Sequence, residues 1–362
     1  ESGYTGYDAM TDDELYCFRP DGFWMRSGAW FQSETARRHF YRLGQTWARG
    51  FVASTHCAEG AGDEALARAA VFPMYWENAF WSGALTNLPV FVVNNYLQPE
   101  QITMTWAVYA EDGRRVEGGE SAWDLPPATV REARQPLALP ATDEAVYARL
   151  AYTVASKTGG VEQRGRERFT LFPRPDLAAA ARATKIALYD PDGATAEALR
   201  RAGIACDRIA APDRDLRGYD LLIIGEEAVD DAVGRARRTL RDAVGDGLTC
   251  AIWAQTHSRT NFPFAVHRST GLRSFDYLAY PSHPLVKGLL HDDFRWWRNV
   301  WHDHLVSRDP VTVDDAEWPN RIVAGSLTEV PLGKGRFISY QQPLARALAV
   351  EPAAAILVKN LL

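Results

Sequence analysis

The sequence predicts a chain that joins two fold classes, an all-β sandwich and a doubly wound α/β domain that follows it. Residues 88–173 contain short runs in which apolar and polar residues alternate, separated by turn residues and without a helical period. From about residue 184 the pattern changes to short apolar runs that alternate with amphipathic stretches. The length of 362 residues exceeds the usual size of one domain, so two or three domains are expected.

Residues 1–87 form the first zone, which we predict to be a mixed helical segment. Ser33 can cap a helix whose apolar positions, three and four residues apart, are Ala36, Phe40, Leu43, Trp47 and Phe51. A second, short helix is predicted from Asp63 to Ala70. It is followed by an aromatic segment that runs from Val71 to Trp81.

Residues 88–173 form the second zone, which predicts an immunoglobulin-like β-sandwich. Alternation is clearest in the strand with Ile102, Met104, Trp106 and Val108 on one face. Asp112-Gly113 predicts a hairpin turn that leads into a returning strand. About six or seven such strands within this zone, with no helix between them, are typical of that sandwich.

The third zone, residues 184–362, predicts a mostly parallel sheet covered by helices. Buried strands are indicated at Ile186–Tyr189, Leu221–Ile224 and Leu248–Trp253, and a further strand is predicted at Cys206–Ile209. Helices are predicted at Thr195–Arg201, at about 229–244 and at about Pro352–Leu361. Alternation of strands and helices at this spacing is typical of a doubly wound α/β domain.

The composition argues against several classes of function. A formal net charge of −6 and a pI near 5.8 are unlike those of nucleic-acid binders, which cluster Lys and Arg on one face. No apolar run reaches the ~18 residues that a membrane span requires. The four cysteines, Cys17, Cys57, Cys206 and Cys250, are too few and too widely spaced for a disulfide framework or a metal motif. We therefore expect no nucleic acid, membrane, metal or cofactor as a partner.

The aromatic content suggests a carbohydrate partner. The sequence has 12 Trp residues, and aromatics make up 11% of the chain. Indole rings fill cores well, and their flat faces also stack on sugar rings, so both interpretations stay open. The candidate substrate-binding residues are the clustered ones and a neighbouring amide: Tyr75, Trp76, Asn78, Trp81, Trp296 and Trp297.

Two sets of phrases resemble parts of large glycosidases. Pro89–Leu97 and Thr170–Pro173 resemble the β-sandwich after the catalytic barrel in glycoside hydrolase family two, which includes β-galactosidases and β-mannosidases. His283–Leu289 and Gly333–Phe337 resemble the flavodoxin-like domain at the end of some large glycosidases. That domain is related in fold to class I glutamine amidotransferases. The two resemblances together cover about residues 88–362.

The resemblance implies a parent enzyme that hydrolyses glycosidic bonds with two carboxylates and retention of configuration. A (β/α)₈ barrel needs about 250 residues, and fewer than 90 precede the predicted sandwich. We therefore interpret the chain as a C-terminal fragment or subunit whose barrel lies in the same parent protein or in a partner chain. The alternative is that residues 1–87 are the last portion of the barrel. A homo-oligomer is left open.

Two carboxylates in the first zone are candidates for catalysis. Glu77 lies among aromatic residues, where desolvation raises the pKa of a carboxyl group, as a general acid requires. Its neighbour Asn78 follows it, whereas the family's acid/base motif places Asn before Glu. Glu1 precedes Ser2-Gly3-Tyr4, which is similar to the family's nucleophile strand in a different order.

The sequence gives weaker support for a cysteine nucleophile and for a metal site. An amidotransferase nucleophile would be Cys250, but it lies inside an apolar run without the flanking glycines of a strained turn. His302 and His304 could share one face of a strand and bind a metal, although no third ligand follows at a recognisable spacing. The alternatives to a hydrolase fragment are a stand-alone carbohydrate-binding protein and a Cys-dependent amidase or transferase.

Overall fold

The computed structural model describes residues 16–19, 22–25, 67–73, 79–255, 261–264, 267–268, 280–290, 293, 311–312, 321–324 and 327–362. The chain divides into two compact units, Glu1–Pro173 and Arg174–Leu362. The expectation of a chain that mixes strands with helices is confirmed, with strands in the majority among the described residues.

The described strands of the first unit are ten. They are β1 (Tyr16–Arg19), β2 (Gly22–Met25), β3 (Ala69–Pro73), β4 (Ala79–Trp81), β5 (Leu85–Asn94), β6 (Glu100–Ala110), β7 (Arg115–Leu125), β8 (Thr129–Ala138), β9 (Val146–Ser156) and β10 (Gly160–Phe172). Strands β1 and β2 pair as an antiparallel hairpin. The predicted helix Asp63–Ala70 is wrong at its end, because Ala69 and Ala70 begin β3 and pair with β5.

Two sheets of the first unit share one hydrophobic core. Five strands are ordered β4-β10-β9-β6-β7, and three are ordered β3-β5-β8. Neighbouring strands are antiparallel except for β4 and β10, which are parallel. Ile102 and Met104 on β6 and Val90 and Val92 on β5 are fully buried in this core. Alternate residues of each strand therefore face the core, as the period of two predicts.

Side chains close both edges of the three-stranded sheet. The backbone N–H of Val71, on edge strand β3, donates to Gln163 Oε1 at 2.8 Å. On the other edge strand, the backbone N–H of Ala138 donates to Glu117 Oε2 at 2.5 Å. Gln163 follows a β-bulge in β10, which turns its side chain inward. These contacts occupy edge donors that would otherwise pair with another strand.

The second unit contains nine described strands, six helices and a short 3₁₀ turn. The strands are β11 (Ile186–Tyr189), β12 (Asp207–Arg208), β13 (Leu221–Ile224), β14 (Thr249–Ile252), β15 (His267–Arg268), β16 (Val311–Thr312), β17 (Arg321–Ala324), β18 (Leu327–Leu332) and β19 (Gly335–Tyr340). The helices are α1 (Leu177–Ala181), α2 (Ala194–Arg201), α3 (Asp231–Arg235), α4 (Arg237–Asp246), α5 (Leu344–Ala347) and α6 (Pro352–Leu361). The 3₁₀ turn is Pro284–Val286.

Seven strands form the main sheet of this unit, in the order β12-β11-β13-β14-β19-β18-β17. The first five are parallel and the last two antiparallel. Strands β15 and β16 pair separately. The predicted helix over 229–244 is two helices that meet at Ala236, and the strand predicted at Cys206–Ile209 is only Asp207–Arg208. No helix in the described part of the chain is long and apolar enough to cross a membrane.

Candidate functional site

The carboxyl edge of the parallel strands is where a sheet of this kind ordinarily binds a ligand. Ligands lie outside the point at which the strand order reverses. In this sheet the reversal is at β11, because β12 lies on one side of it and β13 on the other. Buried polar residues follow the parallel strands along this edge, and they are Asp190, Glu226, Gln255, Gln341 and Gln342.

Asp190 follows β11 and holds the start of helix α2. Its Oδ2 atom accepts a hydrogen bond of 2.7 Å from the backbone N–H of Ala196, in the first turn of that helix. Its backbone carbonyl accepts from Arg208 Nη2 at 2.9 Å. The side chain is buried, with 3% of its surface exposed. A carboxylate therefore occupies the helix end where an anionic ligand would bind, and it would repel such a ligand.

Gly225 lies directly across from Asp190, at the end of β13. A Cβ atom at this position would lie 2.7 Å from Thr195 Oγ1 and 2.9 Å from Asp190 Oδ1. Thr195 Oγ1 also accepts a hydrogen bond of 2.9 Å from the backbone N–H of Glu226. The crevice between β11 and β13 is thus filled by the chain's own atoms, because the strand end packs directly against the start of α2.

Glu226 binds the start of helix α5, near the end of the chain. Its Oε1 atom accepts a hydrogen bond of 2.6 Å from the backbone N–H of Ala345, in the first turn of α5. Its Oε2 atom lies 3.7 Å from Nε of Arg346. The side chain of Glu226 is 5% exposed and that of Arg346 is 41% exposed. The carboxylate accepts a hydrogen bond from a backbone N–H at a helix start, where no partner is available within the helix. This is a structural role.

Gln255 fixes the two loops that flank it. Its Nε2 group donates to the carbonyl oxygens of Gly225 at 2.7 Å and Trp253 at 2.6 Å. Its Oε1 atom accepts from the backbone N–H of Val229 at 2.9 Å. These three hydrogen bonds to the backbone use most of the hydrogen-bonding capacity of one side-chain amide. The side chain is therefore engaged within the protein.

The polar atoms near this edge that are buried without a hydrogen-bond partner in the described part of the chain include Asp190 Oδ1, Trp253 Nε1 and Tyr340 Oη. Burial raises the pKa of the Tyr340 hydroxyl, so this group remains protonated. Trp253 and Tyr340 are fully buried. None of the three presents a reactive group to solvent.

Neither of the two cysteines whose side chains are described has the surroundings of a nucleophile. Cys250 lies within β14 and is fully buried, and burial raises the pKa of its thiol. Cys206 is partly buried, and burial, followed by the negative charge of Asp207, raises the pKa of its thiol. Nucleophilic cysteines need the thiolate form and a lowered pKa. The amidotransferase chemistry is therefore not supported at Cys250.

A buried ionic cluster joins the two phrases that resemble the terminal domain of glycosidases. His283 Nε2 lies 3.1 Å from Glu329 Oε2, and Arg336 Nη1 donates to Glu329 Oε1 at 2.8 Å. The backbone N–H of Leu285 donates to His283 Nδ1 at 3.3 Å, at the start of the 3₁₀ turn. With Nδ1 accepting, Nε2 carries the hydrogen and donates to Glu329. The phrases containing His283 and Arg336 thus meet at one carboxylate.

In the first unit, the phrase Pro89–Leu97 ends at an asparagine that fixes the following loop. The buried Asn94 side chain donates through Nδ2 to the carbonyl oxygens of Gln98 and Pro126 at 3.0 and 2.7 Å. Its Oδ1 atom accepts from the backbone N–H of Tyr96 at 2.9 Å. The hydroxyl of Tyr96 hydrogen-bonds the carboxylate of Glu162, which joins this loop to β10. The phrase has a structural role.

Most of the residues predicted to form a sugar site lie outside the described residues. These are the candidate sugar-binding residues Tyr75, Trp76, Asn78, Trp296 and Trp297. The candidate catalytic carboxylates Glu1 and Glu77 and the possible metal ligands His302 and His304 also lie outside the described residues. Trp81 is described at the end of β4, where it is half-buried and aligned with Phe172 of β10. The roles predicted for these residues remain predictions. Among the described residues, no group of three His, Cys, Asp or Glu side chains could hold a metal ion.

Sequence reasoning interpreted the segment from Asp190 to Gly193 as a plain turn and did not select Glu226 or Gln255, although a signal was present. Asp190, Glu226 and Gln255 each stand at or just beyond the end of an apolar run that becomes a parallel strand. Polar residues at that position gather at one edge of the sheet, and their spacing from the apolar runs could have identified them.

Comparison with known proteins gives no family. No protein-family model matches the sequence, and no curated protein does. Among solved structures, the chain is similar to a beta-glucuronidase of Bacteroides uniformis (12% identity, 51% of this chain and 33% of that chain, TM-score 0.23). It is also similar to a cycloisomaltooligosaccharide glucanotransferase of Paenibacillus sp. (12% identity, 51% and 27%, TM-score 0.22).

A third similar structure is that of a protein with a different function, sporulation control. The sporulation control protein of Bacillus subtilis shares 13% identity over 31% of this chain and 54% of that chain, with a TM-score of 0.22. The chain therefore spans less than two thirds of the length of each of these proteins. Its weak structural neighbours include glycoside hydrolases, at a similarity too low to assign a family.

Proposed function

We propose that this chain is the non-catalytic C-terminal part of a retaining glycoside hydrolase similar to β-galactosidases. Its immunoglobulin-like sandwich and flavodoxin-like domain support a catalytic barrel in the same parent protein or in a partner chain, and they edge its sugar site. The observation that carries the proposal is the carboxyl edge of the parallel sheet. There the buried polar side chains Asp190, Glu226 and Gln255 bind the protein's own backbone.

The strand arrangement supports both fold assignments. In the first unit, two sheets with mostly antiparallel pairing enclose one core, as in a β-sandwich. In the second, the five parallel strands stand in the order second, first, third, fourth and fifth along the chain, taking β11 as the first. This is the order of the flavodoxin-like class of doubly wound sheets.

The supporting role is inferred from the described residues of this edge, whose buried side chains hydrogen-bond the protein's own backbone. Catalysis of acyl transfer or hydrolysis needs an accessible nucleophile or a pair of carboxylates that can reach substrate. Asp190 and Glu226 are carboxylates of this edge, but each is buried and hydrogen-bonded to a helix start. Cys250 is enclosed within a strand. These contacts support a scaffold role for the second unit.

The carbohydrate assignment rests on the sequence phrases that resemble glycosidases, and the contacts of these phrases fit it. Asn94 fixes a loop of the sandwich, and the His283–Glu329–Arg336 cluster fixes the edge of the α/β sheet. Both are contacts that hold a scaffold together. The phrases that resemble glycosidases therefore contain residues that stabilise the fold. This agrees with a supporting role shared with the corresponding glycosidase domains.

Hydrolysis by the purified chain tests the proposal. We expect no turnover of 4-nitrophenyl β-glycosides, with galactoside, mannoside, glucoside and glucuronide as the panel, between pH 4 and pH 8. The matched variants are Glu77→Gln and Glu1→Gln, which remove the two carboxylates that sequence analysis singled out. Turnover by the unmodified chain that disappears in either variant would overturn the division of labour. Turnover that persists in both variants and stays proportional to the amount of this chain through further purification would also overturn the proposal, whereas turnover that is lost on purification comes from a contaminating enzyme.

A further inference from the structure

The outer face of the three-stranded sheet is apolar and buried over two of its strands. Its side chains alternate with those that face the shared core, such as Val71 and Val92. Ala70 and Phe72 of β3 and Val93 of β5 lie on the outer face, and each has at most 2% of its surface exposed. The outer face of a sandwich ordinarily carries polar side chains in contact with water. An apolar, buried outer face therefore indicates a further layer over this sheet.

The strand register arranges the outer face in two rows that run from β3 through β5 to β8. One row contains Ala70, Val93 and Val130, and the other contains Phe72, Phe91 and Glu132. The two residues on β3 are buried, whereas Phe91 on β5 and Val130 on β8 are half-buried and Glu132 on β8 is exposed. The layer that covers the face therefore lies over β3 and β5 and ends near β8.

The atoms that cover this face belong to the chain itself. The exposed fractions are those of a single copy of the chain, so a partner subunit is not needed to explain the burial. The described strands of the first unit lie in the two sheets or in the hairpin of β1 and β2. The segment that supplies the cover must reach the β3 side of the sheet.

The chain enters the sheet at this same face. Ala67, two residues before β3, is buried and packs with the buried residues of the outer face. The backbone carbonyl of Arg68 accepts a hydrogen bond of 2.7 Å from the N–H of Asn95, which fixes the entry beside the end of β5. Residues 26–66 directly precede Ala67, and they are part of the same compact unit as the sheets. They are thus the segment that joins the sheet at the covered face.

This segment carries the apolar stripe that a covering helix requires. Phe40, Leu43, Trp47 and Phe51 recur at helical spacing in the helix predicted to begin after Ser33. A helix of this kind gains most of its stability when its apolar stripe packs on another apolar surface. As a helix, residues 34–51 span about 27 Å, and the ten residues of β5 span about 33 Å. The stripe and the sheet face match in chemistry and in length.

From these observations we infer that the outer face of the three-stranded sheet is the docking surface for residues 26–66. The apolar stripe of the helix predicted there covers Ala70, Phe72 and Val93. A sheet covered in this way is buried on both faces, which explains why residues 90–93 form a continuous apolar run in place of an alternating one. The inference goes beyond the proposed function and does not depend on it, because it concerns packing within this chain.

Photo-crosslinking from the margin of the covered face tests the inference on the full chain. The half-buried Phe91 is replaced by p-benzoylphenylalanine, and the irradiated monomer is digested and analysed by mass spectrometry. We expect crosslinks to peptides from residues 26–66. The same photo-crosslinker at the half-buried Thr103, on the outer face of the five-stranded sheet, should not capture these peptides. Crosslinks from position 91 that fall only outside residues 26–66, or equal capture from both positions, would overturn the inference.

Thiol protection gives a second measurement with a matched pair of reporters. Val93→Cys places a thiol on the outer face of β5, and Val92→Cys places one on its core face, where both valines are fully buried. The stripe is interrupted by Leu43→Ser/Trp47→Ser. In that background the Val93→Cys thiol should react with iodoacetamide at least about tenfold faster, because two large apolar side chains lose their burial. The rate at Val92→Cys should be unchanged.

A second double variant is the control for the stripe. Arg38→Ser/Arg42→Ser changes the opposite side of the predicted helix and should leave both labelling rates unchanged. Peptide mass spectrometry assigns each label to its position, so the native cysteines do not interfere. Equal acceleration at Val92→Cys and Val93→Cys would indicate that the sandwich itself opens and would contradict docking on the outer face. An unchanged rate at Val93→Cys in the stripe variant would contradict it as well.

Discussion

The two units use polar side chains for different purposes. In the first unit, the buried Gln163 and the half-buried Glu117 reach from one sheet to close the edges of the other. In the second unit, the buried Asp190, Glu226 and Gln255 satisfy backbone groups at the edge where such sheets ordinarily bind ligands. The comparison can be tested with pairs of equivalent substitutions, one in each unit.

Replacing a glycine by alanine should give the largest difference between the two units in the loss of unfolding free energy. In Gly335→Ala, the new Cβ would lie 2.2 Å from the carbonyl oxygen of Leu248 and 2.3 Å from that of Val244. Both are backbone atoms, so β19 must shift, and we expect a loss of about 3 kcal/mol in the free energy of unfolding. Urea denaturation followed by circular dichroism measures it. In the first unit, the Cβ of Gly165→Ala would lie 2.0 Å from Cζ of the buried Tyr152, a side chain that can shift more readily than backbone, so the loss should be smaller.

Gly245→Ala is the control for this pair. No atom lies within 4 Å of its added Cβ, and the residue is inside helix α4, where alanine is favoured over glycine by about 1 kcal/mol. Stability equal to or above that of the unmodified chain is expected. A loss for Gly335→Ala no greater than for Gly165→Ala would contradict the close backbone approach at β19.

A buried carboxylate of the second unit and a half-buried one of the first should give the next largest difference in the loss of unfolding free energy. Glu329→Leu removes the acceptor shared by His283 and Arg336, and we expect a loss of about 2 kcal/mol in unfolding free energy. The loss is below that of a fully buried ion pair because the side chain of Arg336 is 37% exposed. Glu117→Leu in the first unit removes one acceptor from a single backbone N–H and should cost about 1 kcal/mol. Equal losses would show that the cluster at Glu329 adds nothing beyond one hydrogen bond.

The two buried glutamines differ in the number of backbone groups that they satisfy. Gln255→Leu leaves one N–H and two carbonyl oxygens without their partner, whereas Gln163→Leu leaves only the N–H of Val71. We expect losses of about 2 and about 1 kcal/mol, since each unsatisfied buried group is costly and relaxation reduces the sum. Gln101→Leu, at an exposed position, should be nearly neutral. Chemical denaturation of all three measures the order, and a reversed order would contradict the geometry at Gln255.

These pairs also indicate which features the sequence could predict. Apolar runs such as Leu221–Ile224 predicted their own strands because a run buried on both faces of a sheet has few alternatives. Ala69 and Ala70 were predicted as helical, since local propensity favours a helix, and pairing with β5 overrides it. The split at Ala236 was missed for a similar reason, because the apolar period continues across the break. The local sequence pattern therefore predicts that a helix or strand exists. It does not predict the tertiary contacts that decide where the helix or strand begins and ends.

The candidate sites depended still more on distant contacts. The apolar run at residues 90–93 is visible in the sequence, but Ala70 and Phe72 join Val93 on one face only through the register of β3 and β5. The burial of Cys250 was predictable from its apolar run, whereas the meeting of His283, Glu329 and Arg336 joins three separate segments. Register and tertiary pairing supply what a single sequence does not state.

The smallest expected effect concerns an exposed ionic group of the second unit, which contrasts with its buried ones. Hydrogen bonds from Arg200 and then Arg201 lower the pKa of Glu197 to about 2. Because the folded-state pKa lies below the usual value of 4.5, this contribution to stability is present above pH 4.5 and is lost as the pH falls from there to about 2. Carboxyl-detected NMR titration of Glu197 measures this pKa directly. In Arg200→Gln/Arg201→Gln it should return toward 4.5, with little change in unfolding free energy at neutral pH, because all three groups face solvent. A pKa that stays near 2 in the double variant would mean that the arginines are not its cause.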